Sequence, residues 1–591
     1  MKHTRQAFAF TPAGLLRSLV LLGLACAIGA CSAAGTALQP ATPTAQPPLA
    51  SPTALGTATP IPSPTPEPVP LTFWADPSLP DELTDAITLP EGSEWVSSAA
   101  VASFLLRPAD SSNPTDKVLA ETTWTYALVA PFLTVQDSFP LQELINLLRG
   151  LEVDSGILPA PSLLIRTGDL NAICQALGLK PAETAAAALV QVVPDDYFDS
   201  GSYPTDGSWA LLPFHLLHPV WKVLSVAGTN PLDAKFESSN DALSVKYQLS
   251  VPRELSQRLS EDQLATLQSA LPEGNRQADQ LTSLIMTGVT AMARDTAYVM
   301  STEGVTFPAT EIGEVLRSAD LTHISNEVSF YEGCPFPNPD YPGYIFCSDP
   351  EYIGLLDAVG ADIIELTGNH NNDVRALYKE DSVPFTLDLY RQHNMRWYAG
   401  GTNLAEARAP LLLENNGNKL AFIGCNSYGP EMAWATESRS GAAPCGDFGW
   451  IGDTIAQVKA QGYIPIVTFQ YQEDYYTSAT STAKRDFRLV AGMGAAIING
   501  SQSHVSKVME FYNGAFVDYG LGNLFFDQPG FYITYPSIIQ RHFFYNGQYI
   551  STQLITVTVK ETGKLRLMTD AERQNFLGNL FAESRALMEE K

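Results

Sequence analysis

The chain is poor in basic residues. It carries 35 lysines and arginines against 63 aspartates and glutamates among 591 residues, which gives a formal charge of −28. A surface with this balance repels nucleic-acid phosphates and anionic membrane faces, so we exclude a nucleic-acid partner. The acidity by itself indicates only a soluble surface. Apolar residues make up 45% of the chain and charged residues 17%, as in a folded globular protein.

The sequence also lacks a long hydrophobic run. None reaches the roughly 18 residues that a membrane-spanning helix needs. The run Leu19–Ala30 follows three basic residues, Lys2, Arg5 and Arg17, and predicts a signal peptide over residues 1–30. It ends in IGAC, which resembles a bacterial lipobox with Cys31 as the lipidated residue; the alternative is an ordinary cleaved signal. We therefore expect a protein on the extracytoplasmic face of the cell membrane, held there by a lipid anchor.

Cysteine is scarce, with seven residues. Cys26 leaves with the signal peptide and Cys31 takes the lipid, while Cys174 lies in the helical pattern LNAICQALGL and is predicted to be a buried thiol. The other four lie in the C-terminal half, and an export compartment permits disulfides. Four cysteines allow three pairings. We favour Cys334–Cys347 and Cys425–Cys445 because each pair closes a short loop.

A chain of this length predicts more than one domain. Residues 31–70 are rich in Pro, Thr and Ala and predict an extended linker. Residues 71–275 alternate strand-like and helical patterns, which predicts a mixed α/β domain in which His215 and His218 pack in the core. The opening LTFWADPSLPDELTDAI resembles the first strand and helix of periplasmic solute-binding proteins.

From residue 276 to 591 the alternation is sharper. Predicted strands are LTSLIMTGV, ADLTHIS, ADIIELT, KLAFIGC, IPIVTF and AAIING, and predicted helices are EYIGLLDAVG, WIGDTIAQVKAQG and TAKRDFRLVAGMG. Continuous apolar strands that alternate with amphipathic helices indicate a largely parallel sheet. The final part, with GAFVDYGLGNLFFD and QLITVTV, favours antiparallel strands.

Polar side chains cluster where these strands end. They are Asn326 and Glu327, the GNHNND segment from Gly368 to Asp373, Gln470 to Asp474, Gln502 and His504, and later Asn523. Ligands of open α/β sheets bind beyond the carboxyl ends of the strands. A turn needs one such polar group and not a cluster at each strand end. The pattern therefore predicts one shared site.

These motifs resemble the CapA family, the capsule and poly-γ-glutamate synthesis proteins, over residues 281–560. The family is similar to calcineurin-like metallophosphatases, so the resemblance implies an α/β sandwich with a largely parallel central sheet. It implies that Asn369 is a metal ligand and that His370 lies beside the scissile bond. Asp373 matches the acidic residue after the turn, Asn326 and Glu327 match an Asn-x-Glu-like element, and His504 matches the last His of a Gly-x-His-x-His motif, with a role as metal ligand.

Three positions depart from the family pattern. Val289 stands where an Asp is expected, Gln502 replaces a His, and a His-Trp-Gly-x-Glu segment reads Gln470 to Asp474. Neutral amides are poor substitutes for carboxylate and imidazole ligands. Three alternatives therefore stay open: two bound divalent metal ions, one weakly held ion, or no metal. The three departures from the family pattern count against two ions.

Two functions compete at this stage. In the first, the protein is an envelope enzyme that cuts or transfers an anionic polymer or a phosphoester, with His370 as acid and Glu473 or Asp474 as base. In the second, it binds a polymer or glycan without catalysis. Ligand-binding residues would be Asn326, Glu327, Asn369, Asp373, Gln470, Gln502, His504 and Asn523. A carboxylate-rich pocket without metal would repel an anionic polymer. The sequence indicates no oligomeric state.

Several of these residues also have purely structural explanations. Asn369 suits the start of a helix as a cap, and Asp373 suits the first helical turn because it complements the helix dipole. Glu327 could pair with Arg294 or Arg375. The structure separates these explanations by showing which atoms each side chain contacts.

Overall fold

A computed structural model describes residues 70–153, 162–198, 207–340, 343–526 and 528–590. The predicted signal peptide, the lipidation residue Cys31 and nearly all of the predicted linker lie outside these ranges. Residues 66–591 form one compact unit. None of the helices in the described ranges has the length and apolar character that a membrane crossing requires.

The first 200 or so described residues build one mixed sheet flanked by short helices. The strands are β1 Thr72–Ala75, β2 Glu94–Trp95, β3 Phe104–Pro108, β4 Lys117–Pro131, β5 Ser138–Phe139, β6 Leu163–Arg166, β7 Val190–Val193, β8 Trp209–Pro213, β9 Trp221–Val226 and β10 Ser244–Val251. The helices are α1 Asp81–Asp85, α2 Leu141–Leu148, α3 Leu170–Leu177, α4 Pro181–Ala185, α5 Arg253–Ser256 and α6 Glu261–Gln268.

This sheet has the order β2-β1-β3-β10-β4-β8-β6-β7, with β9 paired to β4 and β5. Strand β4 lies at its centre because its second half, from Thr125 to Ala130, is apolar and buried without interruption. The run of alanines after α4 does not extend the helix, since α4 ends at Ala185 and the valine-rich Val190–Val193 pairs with β6 as a strand.

The C-terminal half contains fifteen strands in the described ranges. They are β11 Leu281–Thr290, β12 Leu321–Asn326, β13 Ile363–Glu365, β14 Arg396–Tyr398, β15 Gly400–Gly401, β16 Leu411–Asn415, β17 Asn418–Asn426, β18 Gly441–Ala442, β19 Ile464–Gln470, β20 Ile497–Ser501, β21 Met509–Tyr512, β22 Ala515–Asp518, β23 Ser537–Tyr545, β24 Gln548–Glu561 and β25 Lys564–Leu567. All six strands predicted from the sequence are present.

The helices of this half lie between the strands. They are α7 Arg294–Glu303, α8 Gly313–Leu316, α9 Ile353–Ala358, α10 Asp373–Tyr378, α11 Val383–Gln392, α12 Leu404–Arg408, α13 Gly449–Ala460, α14 Ser481–Gly492 and α15 Asp570–Glu589. The three predicted helices correspond to α9, α13 and α14.

The strands form two main sheets, and β15 and β18 form a separate two-stranded sheet. The first has the order β14-β13-β12-β11-β23-β24-β25, parallel from β14 to β11 and antiparallel from β11 onward. The second has the order β16-β17-β19-β20-β22-β21, with β17, β19, β20 and β22 parallel. The first sheet is therefore parallel in one half and antiparallel in the other, and the second has a parallel centre with antiparallel edge strands. The antiparallel strands at the C-terminal end agree with the sequence pattern there.

The two sheets pack face to face between layers of helices. Alternate side chains of β11 point to opposite faces. Leu284 and Met286 join the core shared with Phe422 and Ile466 of the second sheet. Ile285 instead packs with the helices on the outer face. Helices α13 and α14 cover the far side of the second sheet, so this half is an α/β sandwich.

Candidate functional site

Polar side chains from both sheets meet at the carboxyl ends of the parallel strands. Strands β12 and β13 of the first sheet end at Asn326 and Glu365, and β19 and β20 of the second end at Gln470 and Ser501. The segment from Asn369 to Asp373 follows β13 and leads into α10. The predicted shared site is thus built by strand ends of two sheets rather than one.

His370 and Asp373 form a close pair on this edge. Nδ1 of His370 lies 2.6 Å from Oδ2 of Asp373, and that carboxylate oxygen also accepts the backbone N–H of Phe346 at 2.8 Å. Burial alone would lower the pKa of His370. The carboxylates of Asp373, Glu327 and Glu473 outweigh it, so the pKa of His370 is raised. The imidazole therefore favours its protonated form.

Glu327 lies beside this pair and is only 3% exposed. Burial is the largest effect and raises the pKa of its carboxyl, and the negative charges of Glu473 and Asp373 raise it further. The imidazoles of His370 and His504 act in the opposite direction, but the pKa remains raised. One carboxyl oxygen, Oε2, is buried and has no hydrogen-bond partner among the described residues. A buried oxygen without a partner is a place where a ligand group or a bound proton is stabilised.

His504 and Asn523 face each other close to Glu327. Nδ1 of His504 lies 2.8 Å from Oδ1 of Asn523, and both residues are 3% exposed. The backbone of His504 has φ +53°, which is costly for a residue with a side chain. The ring lies 6.3 Å from that of Tyr475 and nearly parallel to it. The imidazole is therefore held in one orientation.

An amide cluster lies where the family pattern has charged or imidazole groups. Nε2 of Gln470 donates to Oδ1 of Asn369 at 2.9 Å and also to Oε1 of Gln502, and Oε1 of Gln470 accepts from Nδ2 of Asn426. The cluster joins the two sheets through neutral groups. It holds Asn369 and Gln502 in fixed positions without adding charge.

The two predicted bases have different partners. Glu473 is exposed and accepts the hydroxyl of Tyr475 at 2.6 Å. Asp474 forms an ion pair with Lys507, whose ammonium also donates to the carbonyl oxygen of Tyr476 at 2.7 Å. Glu473 acts electrostatically on both His370 and Glu327, so of the two carboxylates it is the one that faces the site.

Three asparagines at or near the predicted site form hydrogen bonds that stabilise the fold. The Asn326 amide donates to the hydroxyl of Tyr390 at 2.6 Å, while its Oδ1 is buried and has no hydrogen-bond partner in the part of the chain that the structure describes. Asn371 donates to the carbonyl oxygens of Leu366 and Gly368 at 3.2 Å. Asn372 donates to the carbonyl oxygen of Ser440 at 2.8 Å. The long polar run therefore divides into turn-stabilising residues and residues that face the site.

Sequence reasoning missed Glu365, the residue beneath the site. Its fully buried carboxyl accepts the hydroxyls of Thr367 at 2.5 Å and Ser501 at 3.4 Å and also interacts with Thr468 and Ser325. Burial is the largest effect and raises the pKa of Glu365. Its four hydroxyl partners come from four strand ends. The available signal was the acidic Glu365 within the apolar run from Ile363 to Leu366.

The disulfide prediction is confirmed in full. Cys334–Cys347 and Cys425–Cys445 are bonded, with Cα atoms 5.8 Å and 5.0 Å apart. Cys174 is a buried free thiol, as predicted. The second disulfide begins at the residue before Asn426, so it supports the amide cluster directly.

The donor set does not fit a two-metal centre. Val289 is an apolar buried residue, Oδ1 of Asn369 already accepts from Gln470, and Nδ1 of His504 faces Asn523. No group of three or more His, Cys, Asp or Glu side chains in the described ranges is arranged to hold a metal ion. His370 is already paired with Asp373, so the unpaired carboxyl oxygen of Glu327 and the imidazole of His504 remain, and these are too few charged or imidazole donors for two divalent ions. The chemistry considered for this pocket is that of its own side chains.

The fold and the site define an α/β sandwich protein with a polar pocket at the carboxyl ends of its parallel strands. A sequence model described as "Bacterial capsule synthesis protein PGA_cap" matches residues 283–528. Residues 283–528 are therefore similar to the CapA family of capsule synthesis proteins, as the motifs indicate.

Two relatives illustrate the likeness. The PGA biosynthesis protein CapA of Bacillus subtilis (strain 168) is 22% identical over 279 residues, which are 47% of this chain and 71% of that protein. The capsule biosynthesis protein CapA of Bacillus anthracis is 20% identical over 313 residues, 52% of this chain and 74% of that protein.

Among solved structures, the NAD nucleotidase (NadN) of Haemophilus influenzae overlaps 51% of this chain and 56% of its own, at 11% identity and a TM-score of 0.27. At this TM-score, nothing about the function of this chain follows from the overlap.

Proposed function

We propose that the protein acts outside the cytoplasm in the biosynthesis of a capsule or of a poly-γ-glutamate-like polymer, and that the strand-end pocket handles the polymer. The match of residues 283–528 to capsule synthesis proteins and the similarity to the two CapA relatives support the process. The sequence of residues 1–31 and two disulfides support an exported protein anchored through Cys31.

The pair of His370 and Asp373 beside Glu327 is the observation that carries a catalytic role. A protonated imidazole held by a carboxylate is suited to give a proton to a leaving atom. Glu473 faces the same groups from an exposed position and is suited to take a proton from an attacking water or acceptor hydroxyl. The proposed reaction is hydrolysis or transfer at a polymer bond, with His370 as acid and Glu473 as base.

A second candidate, binding without catalysis, is favoured by the amide cluster. Asn369, Gln470 and Gln502 are neutral groups that already hydrogen-bond one another. Neutral amides orient a ligand but do not activate a water molecule as a metal ion would. In this case the protein would hold the polymer during assembly or export.

The experiment that tests the proposal uses the full chain in detergent with capsule-type polymers, including γ-linked polyglutamate. Chain shortening or transfer is followed by size-exclusion chromatography and NMR of new chain ends. His370→Gln should lower the rate by about a hundredfold or more, the usual effect of losing an acid catalyst. His393→Gln is the matched control, because His393 and Asp357 form a His–Asp pair at 2.7 Å on the surface.

The outcomes separate the two candidates. Turnover that is lost in His370→Gln and kept in His393→Gln supports catalysis. Binding without turnover that weakens in Asn369→Ala supports the binding role. If the wild type neither binds nor changes any of the polymers, the proposed function is wrong.

A further inference from the structure

A small cavity is lined by Phe346, the aromatic residue whose ring also lies against His370. Its volume is about 120 Å³, and its lining includes Arg294, Phe336, Phe346, Leu377 and the disulfide Cys334–Cys347. The ring centroids of Phe346 and His370 are 4.7 Å apart, so one aromatic ring separates the cavity from the proposed acid. A ligand that reaches His370 could place a neighbouring group in this cavity.

Arg294 is the charged residue of this cavity, and it has no counter-ion there. None of the residues that line the cavity is an aspartate or a glutamate. Nε of Arg294 is buried and has no hydrogen-bond partner among the described residues. The chain has 63 acidic residues against 35 basic ones, so a cavity lined by an arginine and by no acidic residue is unusual in this protein. A buried guanidinium donor without a partner is costly unless an anion from outside completes it.

The backbone around Arg294 adds to the positive potential of the cavity. Arg294 is the first residue of α7, a helix of ten residues whose N-cap, Ala293, supplies no side-chain hydrogen bond. The positive end of a helix favours a nearby negative charge. Arg294 also has φ +49°, a backbone conformation that is costly for a residue with a side chain. This conformation sets the direction in which the side chain leaves the backbone.

The size and chemistry of the cavity favour a carboxylate over a phosphate. A planar carboxylate with a single charge matches one guanidinium, which binds it through two parallel hydrogen bonds. A phosphate dianion needs more donors than one arginine in an apolar setting offers. The disulfide and the aromatic walls limit how far the cavity can expand to admit a larger group.

We propose that Arg294 and this cavity form a carboxylate subsite that positions an acidic repeat unit of a polymer next to His370. This inference rests on the proposed function, because it names the substrate class of the same site. The subsite also answers the objection that a carboxylate-rich pocket repels an anionic polymer. The pairing of Asp373 with His370 and of Asp474 with Lys507 reduces the negative charge that faces the polymer, and Arg294 supplies a positive charge that attracts it.

Two kinds of polymer carry the required carboxylate, namely γ-linked polyglutamate and polysaccharides of uronic acids. Calorimetry of the full chain in detergent would compare a γ-linked glutamate oligomer, a galacturonate oligomer and, as a neutral probe, the γ-linked oligomer with its α-carboxyl groups amidated. We expect the wild type to bind at least one acidic oligomer more tightly than the neutral one. The acidic oligomer that binds identifies the source of the carboxylate.

Arg294→Gln should weaken binding of that oligomer at least tenfold and leave binding of the neutral oligomer within twofold. Arg294→Lys, which keeps the charge but loses the two-pronged geometry, should fall between Arg294→Gln and the wild type. Arg391→Gln is the matched control, since Arg391 pairs with Asp388 on the surface of α11.

A second variant leaves Arg294 and its backbone unchanged. Leu377 lines the cavity and is 49% exposed, so a polar residue there should be tolerated. Leu377→Glu would give Arg294 an internal carboxylate and weaken binding of the acidic oligomer at least tenfold. Leu377→Gln, of the same size but neutral, should stay within threefold of the wild type.

The results distinguish this subsite from the proposed function. If Arg294→Gln and Leu377→Glu bind the acidic oligomers as the wild type does, the subsite is wrong. The proposed function is judged separately by the loss of turnover in His370→Gln. If the wild type binds neither acidic oligomer at millimolar concentration, the carboxylate subsite is also wrong, even where another polymer is processed.

Discussion

A Cβ atom on Gly368 would lie 2.3 Å from Cα of Glu327. The two strand ends that carry Glu327 and His370 therefore approach through a glycine that no larger residue can replace without backbone movement. We expect Gly368→Ala to lower the free energy of unfolding by about 3 kcal/mol, the upper part of the range for overpacked positions. Chemical denaturation would measure it.

The control for this substitution is Gly578→Ala in α15, where an added Cβ would meet no atom within 4 Å. A helical Gly-to-Ala change of this kind should stabilise the protein by about 0.5 to 1 kcal/mol. A Gly368→Ala protein as stable as the wild type would show that the approach of the two strand ends is looser than the structure indicates.

Asp373→Asn should lower the pKa of His370. The carboxylate of Asp373 holds the imidazolium through a 2.6 Å contact, and an amide removes its charge but can still accept the N–H of Phe346. NMR titration of the His370 ring, assigned with His370→Gln, would measure the change. Asp388→Asn, on the surface of α11, should leave the His370 titration unchanged. An unchanged pKa in Asp373→Asn would contradict the assigned cause.

Strand and helix patterns predicted much of the C-terminal fold. The six apolar runs are strands because continuous apolar sequence suits a sheet that is covered on both faces. The disulfide pairs and the polar strand ends were also correctly predicted, because short loops and terminal polar clusters are local features. The motifs also predicted that His370, Glu327 and His504 lie near one another, as the structure shows, because the carboxyl ends of parallel strands share one edge.

The rest depends on contacts between residues distant in sequence. Nothing local shows that β13 and β19 belong to different sheets, or that Glu365 binds hydroxyls from four strand ends. His215 was predicted to pack in the core, yet its ring is partly exposed and lies 3.0 Å from a carboxylate oxygen of Glu82. The roles of Glu473 and Asp474 remain predictions, and only the structure shows that Lys507 pairs with Asp474.

Glu365→Gln should change how stability depends on pH. The pKa of Glu365 is raised above its ordinary value of 4.5, so the folded state holds a proton that the unfolded state has released. Wild-type stability therefore falls as pH rises from 4.5 towards the folded pKa, by up to about 1.4 kcal/mol per pH unit. The variant lacks this titration, so its stability relative to the wild type should increase over that interval.

Denaturant unfolding at several pH values from 4.5 upward would test this prediction. Glu183→Gln removes an exposed glutamate that pairs with Lys180, and its curve should run parallel to that of the wild type. If the Glu365→Gln curve is also parallel to the wild type, Glu365 is ionised in the folded protein and the hydroxyl cluster stabilises its charge.

Removing the disulfide Cys425–Cys445 should destabilise the protein by about 3 kcal/mol, as expected for a closed loop of about 20 residues. The double variant Cys425→Ser with Cys445→Ser should also loosen the amide cluster, since Asn426 follows Cys425 directly. Thermal unfolding with and without reductant would measure the effect. Cys174→Ala is the control, because this thiol is free and reductant should not add to its effect.

A metal centre should appear when two missing donors are restored. Val289 and Gln502 stand at positions where the family pattern has Asp and His. Val289 is 1% exposed, so Asp at that position buries a charge that is costly unless a cation neutralises it. We expect Val289→Asp combined with Gln502→His to be less stable than the wild type without metal and to be stabilised by zinc or manganese.

Elemental analysis and thermal unfolding of the wild type and the double variant, each loaded with metal and then dialysed, would check this. The wild type should hold fewer than two ions per chain, because its donor set supplies too few carboxylates and imidazoles. Adding His504→Ala to the double variant should abolish the metal-dependent stabilisation. Two firmly held ions in the wild type would contradict this prediction. They would show that the amide groups of Asn369 and Gln502 rearrange to bind metal and that Val289 and Gln502 do not prevent a two-metal centre.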